Sequence, residues 1–131
     1  MSWIVGSIKW IMLVSGLLTF SMLYAAIAPG AALESTFGET LRGPVAEIVV
    51  RNWGALIGLV GAMLLYGAFD PPSRRLALLV AGASKVVFIG LVLAYGQQFL
   101  GTALTVSIAV DALMVVLFAT YLLAVRRGTA A

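Results

Sequence analysis

The residues of this chain that could do chemistry are ionisable side chains inside long apolar stretches, above all Lys85 and Asp111. An ionisable group within a bilayer costs on the order of a few kcal/mol, so it faces the protein interior or a water-filled space and usually has a partner. At 1.5 Å per helical residue, Lys85 lies roughly 14 Å from the inner boundary and Asp111 roughly 12 Å below the outer one. A short connection makes their helices neighbours, so we predict a Lys85–Asp111 ion pair.

Arg51 offers an alternative partner for Asp111. The backbones of Lys85 and Asp111 differ by about 7 Å in height, and their side chains lean apart, each towards its own N-terminus. Arg51 opens the second apolar stretch, from which it could reach Asp111 or pair with Glu47 one helical turn earlier. Further polar residues complete a strip from mid-membrane to the outer surface: Glu47, Arg51, Asn52, Lys85, Gln97, Ser107 and Asp111. The strip is either a clasp that holds helix register or the lining of a polar pocket or ion path.

The absence of whole residue types limits the chemistry further. The chain has no cysteine and no histidine, which excludes disulfides, thiol catalysis and histidine-ligated metals. One buried carboxylate and one buried lysine do not make a metal site, and neither a phosphate loop nor a dinucleotide fingerprint occurs. No second acid, base or nucleophile stands near Lys85 or Asp111 in the sequence. We therefore expect no cofactor, and a non-enzymatic role is favoured, although catalysis by these two groups is not excluded.

The elements that position these residues follow from the composition. Of the 131 residues, 63% are hydrophobic and only 10% are charged, whereas soluble domains carry about 25% charged residues. Four apolar stretches reach the roughly 20 residues that a helix needs to cross a bilayer. They cover residues 3–28, 48–69, 76–96 and 103–125. Because unpaired backbone is not tolerated in hydrocarbon, we predict a single all-α domain over residues 1–131, a four-helix transmembrane bundle.

Basic residues near the ends of the spans predict the orientation. Arg74 and Arg75 follow the second span, and Arg126 and Arg127 follow the fourth. Such residues are concentrated on the cytoplasmic side of a membrane. Both termini are therefore expected in the cytoplasm, with the protein in the inner membrane of a bacterium. The net charge of +3 is then a topology signal that points to membrane lipid as a partner and not to nucleic acid.

Residues 29–47 form the one long connection, on the outer side. Leu33, Phe37 and Leu41 recur every four residues, which predicts a short amphipathic helix with these three side chains on one face. The run Thr36–Glu39 fits a capping box. The segment either packs its apolar face on the top of the bundle or forms a lid over a cavity that opens to the outer side.

Small residues in the second span predict a close contact with another helix. Gly54, Gly58, Gly61 and Ala62 form a stripe of the kind that lets a neighbouring helix approach closely. That neighbour is either another helix of the same bundle or a helix of a second copy or partner subunit.

Three features carry a resemblance to a known family: the loop after span one, the run Val50-Arg51-Asn52-Trp53-Gly54 at the start of span two, and the glycine-spaced continuation to Gly61. In these features and in its overall layout, from span one through span four, the chain resembles the DoxX-like group of small four-helix bacterial membrane proteins. Some members of that group are small membrane subunits of quinone-linked oxidoreductases. The resemblance therefore implies a subunit role, and it carries no catalytic residue to this chain.

Two functions are consistent with these features. The first is a non-enzymatic membrane subunit or scaffold, which would pack the face with Gly54 and Gly58 on a partner and use the buried charges to hold its shape. The second is the binding or transport of a lipid, a quinone or another small amphipathic molecule in a pocket below residues 33–41, open to the outer side. The lining of that pocket would comprise Arg51, Asn52, Trp53, Lys85 and Asp111.

Overall fold

The computed structural model describes residues 2–101 and 103–130. The elements are α1 (Ser2–Phe20), a 3-10 turn (Ser21–Leu23), α2 (Tyr24–Ile27), α3 (Pro29–Phe37), α4 (Pro44–Phe69), α5 (Pro71–Tyr95), a second 3-10 turn (Gln97–Phe99) and α6 (Ala103–Ala130). No strand occurs in this described part of the chain. The prediction of an all-α fold is confirmed.

Four helical segments are long and apolar enough to cross a membrane: Trp3–Ile27, Pro44–Phe69, Pro71–Tyr95 and Ala103–Arg126. The first of them consists of α1, the 3-10 turn and α2. Large apolar side chains cover the outside of the bundle, and Val14, Leu59 and Val116 are 60–65% exposed. A continuous apolar surface of this kind suits hydrocarbon and not water, so the chain is an integral membrane protein built as a four-helix bundle.

Two spans begin earlier than the sequence predicts. Helix α4 starts at Pro44 instead of residue 48, and α5 starts at Pro71 instead of residue 76. Proline breaks a helix in its interior, but it is favoured in the first turn because the backbone N–H groups there have no intrahelical partner to lose. Each proline therefore ends a connection and opens the helix that follows it.

The corner between α4 and α5 is held by Arg74. Its Nε donates to the carbonyl of Gly67 at 3.1 Å, and its Nη2 donates to the carbonyl of Ala68 at 2.9 Å. These two bonds satisfy carbonyls that the last turn of a helix leaves without partners. Arg74 thus has a structural role besides the topology signal, whereas the side chain of Arg127 lies outside the described residues.

The four spans close into a ring. Helix α4 packs against α1, α5 packs against α4, and α6 packs against both α5 and α1, as in an up-and-down bundle with short connections. We call the end that carries α3 the α3 end, and the opposite end the corner end. Towards the corner end the interior is a closely packed apolar core, whose largest side chains are below 2% exposed: Met12, Leu64, Leu78 and Phe118.

The glycine stripe of α4 packs against the first span of the same chain. A Cβ atom on Gly61 would lie 2.2 Å from the backbone nitrogen of Phe20, and one on Gly54 would lie 2.6 Å from the Cβ of Ala25. Gly58 is also buried, and Ala62 beside it is half-buried. This face is therefore filled within the bundle, which is the first of the two alternatives that the stripe left open.

The connection on the α3 end differs in part from the prediction. Helix α3 ends at Phe37, and Gly38 follows in the left-handed conformation with φ 77°, so the Thr36–Glu39 run closes a helix and does not begin one. Leu33 is buried and Phe37 packs edge-on against the Phe99 ring with centroids 5.5 Å apart. Leu41 lies beyond the helix and is 64% exposed, so the predicted three-residue apolar face is wrong for its last member.

Candidate functional site

Lys85 and Asp111 are in contact, with 2.9 Å between Nζ and Oδ1. Lys85 lies ten residues before the end of α5 at Tyr95, and Asp111 lies eight residues after the start of α6 at Ala103. Their backbones are therefore about 15 Å and about 12 Å from the α3 end. This difference of about 3 Å is smaller than the one inferred from sequence positions, and the flexible four-carbon stem of the lysine spans it.

Thr19 of α1 is the third member of this cluster, and the sequence reasoning missed it. Lys85 Nζ donates to Thr19 Oγ1 at 3.2 Å, across the bundle from α5 to α1. Thr19 is 5% exposed, and Ser15 one turn before it is 2% exposed. Two hydroxyl residues four positions apart in an apolar span share one helix face, and this spacing is the signal that could have found Thr19.

The cluster is largely shielded from solvent. Lys85 is 8% exposed, and the Asp111 side chain is 20% exposed. A lysine ammonium carries three N–H donors, and in the described structure two of them go to Thr19 and Asp111. The ion pair therefore keeps hydrogen-bonding capacity beyond its internal contacts.

A cavity of about 280 Å³ lies against the ion pair. All four spans line it, and Thr36 of α3 contributes from one end. Its wall is mainly apolar and includes Trp53, Phe88 and Val110. Its polar part consists of the ion pair and the hydroxyls of Thr19, Ser21, Thr36, Ser84 and Ser107. A mostly apolar wall with a few convergent polar groups is the usual make-up of a small-molecule site.

The two ends of the cavity differ. Towards the corner end it stops at the apolar core, because Ala81 and Met114 belong both to the cavity wall and to that core. At the α3 end it is covered by α3, which is held to the first span by a 2.9 Å hydrogen bond between the Tyr24 hydroxyl and Ser35 Oγ. The cavity therefore does not continue through the bundle.

Glu47 and Arg51 form a separate group outside the cavity. Arg51 Nη2 lies 2.8 Å from Glu47 Oε1, and both side chains are about half exposed. Arg51 Nη1 also donates to the carbonyls of Ala26 and Ile27 at 2.5 and 3.3 Å. Those carbonyls end the first span, where a cation is favourable because the helix leaves them unpaired. The alternative Arg51–Asp111 pair is therefore not formed.

The predicted strip is thus divided into two groups. Lys85, Ser107 and Asp111 of the strip line the cavity, whereas Glu47, Arg51 and Asn52 do not. Trp53, which was predicted for the pocket lining, also lies in the cavity wall. Asn52 is exposed, and Gln97 donates to the carbonyl of Leu93 at 2.9 Å on the surface. The reason is the helical period, since consecutive residues point about 100° apart and similar heights do not imply a common direction.

Lys9 lies on the outside of the bundle, away from the cavity. Its Nζ is 4.9 Å from the centroid of the Phe69 ring and 5.7 Å from that of Trp10. An ammonium group over the face of an aromatic ring within about 6 Å of its centroid is attracted by the ring. An exposed lysine at this place can extend its ammonium group towards the membrane surface and so anchor the first span.

Comparisons of the chain with protein-family models, with curated proteins and with solved structures find no match. The resemblance to the DoxX-like group consequently stays a prediction. Within residues 2–101 and 103–130 no three or more acidic side chains come together in a way that could hold a metal ion. The site is therefore described by its geometry alone. An ion pair with a hydroxyl partner lies in the wall of a cavity that ends at the apolar core.

Proposed function

We propose that this membrane protein binds a small amphipathic molecule in the cavity beside Lys85 and Asp111. The observation that carries the proposal is the position of the ion pair in the wall of a cavity of about 280 Å³ that all four spans line. An ion pair that served only to hold helix register would be expected to be enclosed by packed side chains. A buried pair is also weak evidence for stability, because well-packed apolar residues often replace such pairs without loss.

The closed corner end supports binding over conduction. An ion or solute path would need polar groups or water along the whole length of the bundle. Beyond Met114, however, the interior is filled by Phe118, Met12 and Leu78, all below 2% exposed. A molecule that enters this cavity is expected to leave by the same side.

The filled glycine face weakens the support for a subunit role. That role was inferred from a small-residue stripe available to a partner helix, and Gly54, Gly58 and Gly61 instead face the first span. The ligand-binding proposal needs no partner subunit, and the bound molecule would be a lipid, a quinone or another compound with a polar head and an apolar part.

We further propose that the protein lies in a bacterial inner membrane with both termini in the cytoplasm, so that the α3 end is on the outer side. Arg74 and Arg75 at the corner end, and Arg126 near the C-terminus, support this orientation. The chain has no native cysteine, so single cysteines at Ser73 and Glu39 can be labelled in intact cells. A membrane-impermeant maleimide should label only the second position.

Native mass spectrometry of the protein, extracted gently from its own membrane, tests the binding proposal. The wild type is expected to carry a discrete added mass. Val110→Phe places a larger side chain into the cavity wall, whereas Val116→Phe is a matched control on the same helix at a 60% exposed position. The added mass should be lost in Val110→Phe and kept in Val116→Phe.

Two results would contradict the binding proposal. One is a wild-type protein that carries no small molecule in any mild detergent. The other is a folded Val110→Phe variant, checked by circular dichroism, that keeps the same added mass as the wild type. Ser107→Leu, which alters the polar side of the cavity, provides a second variant if Val110→Phe does not fold.

A further inference from the structure

Residues 21–27, the part of the first span nearest the α3 end, pack mainly on α4. The 3-10 turn and α2 contact α4, while α6 is contacted by α1 and α3. Gly54 and Gly58 permit this approach, since a Cβ on Gly58 would lie only 3.2 Å from Leu23. The first span therefore leans away from α6 just below α3.

Five lining residues of the cavity are exposed: Leu18 and Ser21 in the first span, Val106 and Ser107 in α6, and Ser84 in α5. Four of the five lie on the two helices that border the gap between the first span and α6. Leu18 of α1 and Val106 of α6 both line the cavity, and they are 51% and 66% exposed. A residue that belongs to a cavity wall and is also largely exposed lies at the rim of an opening. The cavity therefore opens sideways, between the first span and α6, at a height where a bilayer surrounds the bundle.

The cavity wall has no excess charge. Lys85 and Asp111 are the only ionisable side chains among its described lining residues, and they neutralise each other at 2.9 Å. A ligand with a charged head would bring a third charge into a poorly solvated space, which is unfavourable unless that charge is itself paired. The wall therefore favours a head without net charge.

The polar patch can both donate and accept hydrogen bonds. Lys85 directs two of its three N–H groups to Thr19 and Asp111. The carboxylate of Asp111 accepts from Lys85 through one of its two oxygens. Ser84 and Ser107 add hydroxyls that act in either sense. A head with at least one hydroxyl matches this patch.

The volume limits the rest of the molecule. Sites that enclose a drug-sized ligand hold about 300–1,000 Å³, and this cavity of about 280 Å³ is at the lower limit. It takes a head and the first part of one chain, but not two long chains. The lateral opening gives the remaining chain a path into the bilayer.

We infer that the ligand is an uncharged amphiphile with a single chain, whose hydroxyl-bearing head binds at Lys85 and Asp111 and whose chain leaves between the first span and α6. This inference rests on the proposed binding function and narrows it to one chemical class.

Tryptophan quenching in vesicles of zwitterionic phosphatidylcholine tests the inference. The probes are three amphiphiles with the same dibrominated 18-carbon chain and an alcohol, a sulfate or a trimethylammonium head. Trp53 lines the cavity, so the Trp3→Phe/Trp10→Phe variant reports binding there. Trp10 is 64% exposed, so the Trp3→Phe/Trp53→Phe variant is the matched control for probe dissolved in the bilayer.

The alcohol is expected to quench Trp53 with saturation and at least fivefold more effectively than either charged probe. All three probes should quench Trp10 without saturation. Lys85→Met/Asp111→Leu should abolish the preference of Trp53 for the alcohol. A charged probe that matches the alcohol would overturn the inferred head, and a dibrominated diacylglycerol that does so would overturn the single chain. Unsaturable quenching of both tryptophans by every probe would overturn the binding function itself.

Discussion

Replacement of Gly61 by alanine tests the close contact that shapes the bundle. The new Cβ would lie 2.2 Å from the backbone nitrogen and 2.6 Å from the Cα of Phe20, and 2.8 Å from the carbonyl oxygen of Gly16. All three neighbours are backbone atoms of α1, so no side-chain rotation relieves the overlap. The first span would have to move away from α4 by about 1.3 Å or more to restore an ordinary contact.

The magnitude follows from two opposing terms. Overpacking a close contact typically lowers the free energy of unfolding by about 1–3 kcal/mol. The gain in helix propensity from glycine to alanine offsets this by at most about 1 kcal/mol. Gly90→Ala is the matched control, because nothing lies within 4 Å of a Cβ at Gly90 in α5. Both variants gain the same helix propensity, so this gain cancels and Gly61→Ala is expected to be about 1–3 kcal/mol less stable than Gly90→Ala.

The assay is unfolding by SDS in mixed micelles, followed by far-ultraviolet circular dichroism. Gly58→Ala adds a graded case, since its Cβ would meet the flexible Leu23 side chain at 3.2 Å. The expected order of stability is Gly90→Ala, then Gly58→Ala, then Gly61→Ala. Equal stability of the Gly61 and Gly90 variants would refute the close approach of the first span to α4.

Three further predictions concern the cluster and the cover of the cavity. Asp111→Asn leaves the charge of Lys85 buried and is expected to lower the free energy of unfolding by about 3 kcal/mol. Lys85→Met/Asp111→Leu removes both charges and should restore most of this lost stability. In the same SDS titration, a double variant no more stable than the single one would contradict this expectation. Thr19→Val removes the 3.2 Å hydrogen bond to Lys85 and should lower the free energy of unfolding by about 1–2 kcal/mol. Thr120→Val, a control at a half-buried position of α6, should lower it by less. Phe37→Ala removes the edge-on contact with Phe99, worth about 0.5–1.5 kcal/mol. Amide exchange in α3 should accelerate, and unchanged exchange would show that Phe99 does not hold this helix.

The number and type of elements could be predicted from local properties of the chain. The free energy of transferring apolar side chains into hydrocarbon adds up residue by residue along a span. In the same way, each backbone group needs a hydrogen-bond partner within the span. For this reason the sequence predicts all four spans, and the main differences are the starts of the second and third spans, at Pro44 and Pro71. The same reasoning brought Lys85 and Asp111 together, because a short connection forces their helices to be neighbours.

The composition of the site was decided by tertiary structure. The position of a residue in the sequence gives its height along the helix axis. The direction of its side chain depends on how the helix is rotated about that axis against its neighbours. Arg51 was placed at the right level, yet it turns to the carbonyls of Ala26 and Ile27. Thr19 reaches Lys85 only because α1 packs in the same ring as α5.

The glycine stripe shows the division most clearly. The sequence determined that a helix could approach Gly54, Gly58 and Gly61 closely, since small side chains remove the steric barrier whichever helix arrives. Only the tertiary structure decided that this helix is the first span of the same chain. That choice depends on the packing of all four spans at once, and it is what opens the cavity between the first span and α6.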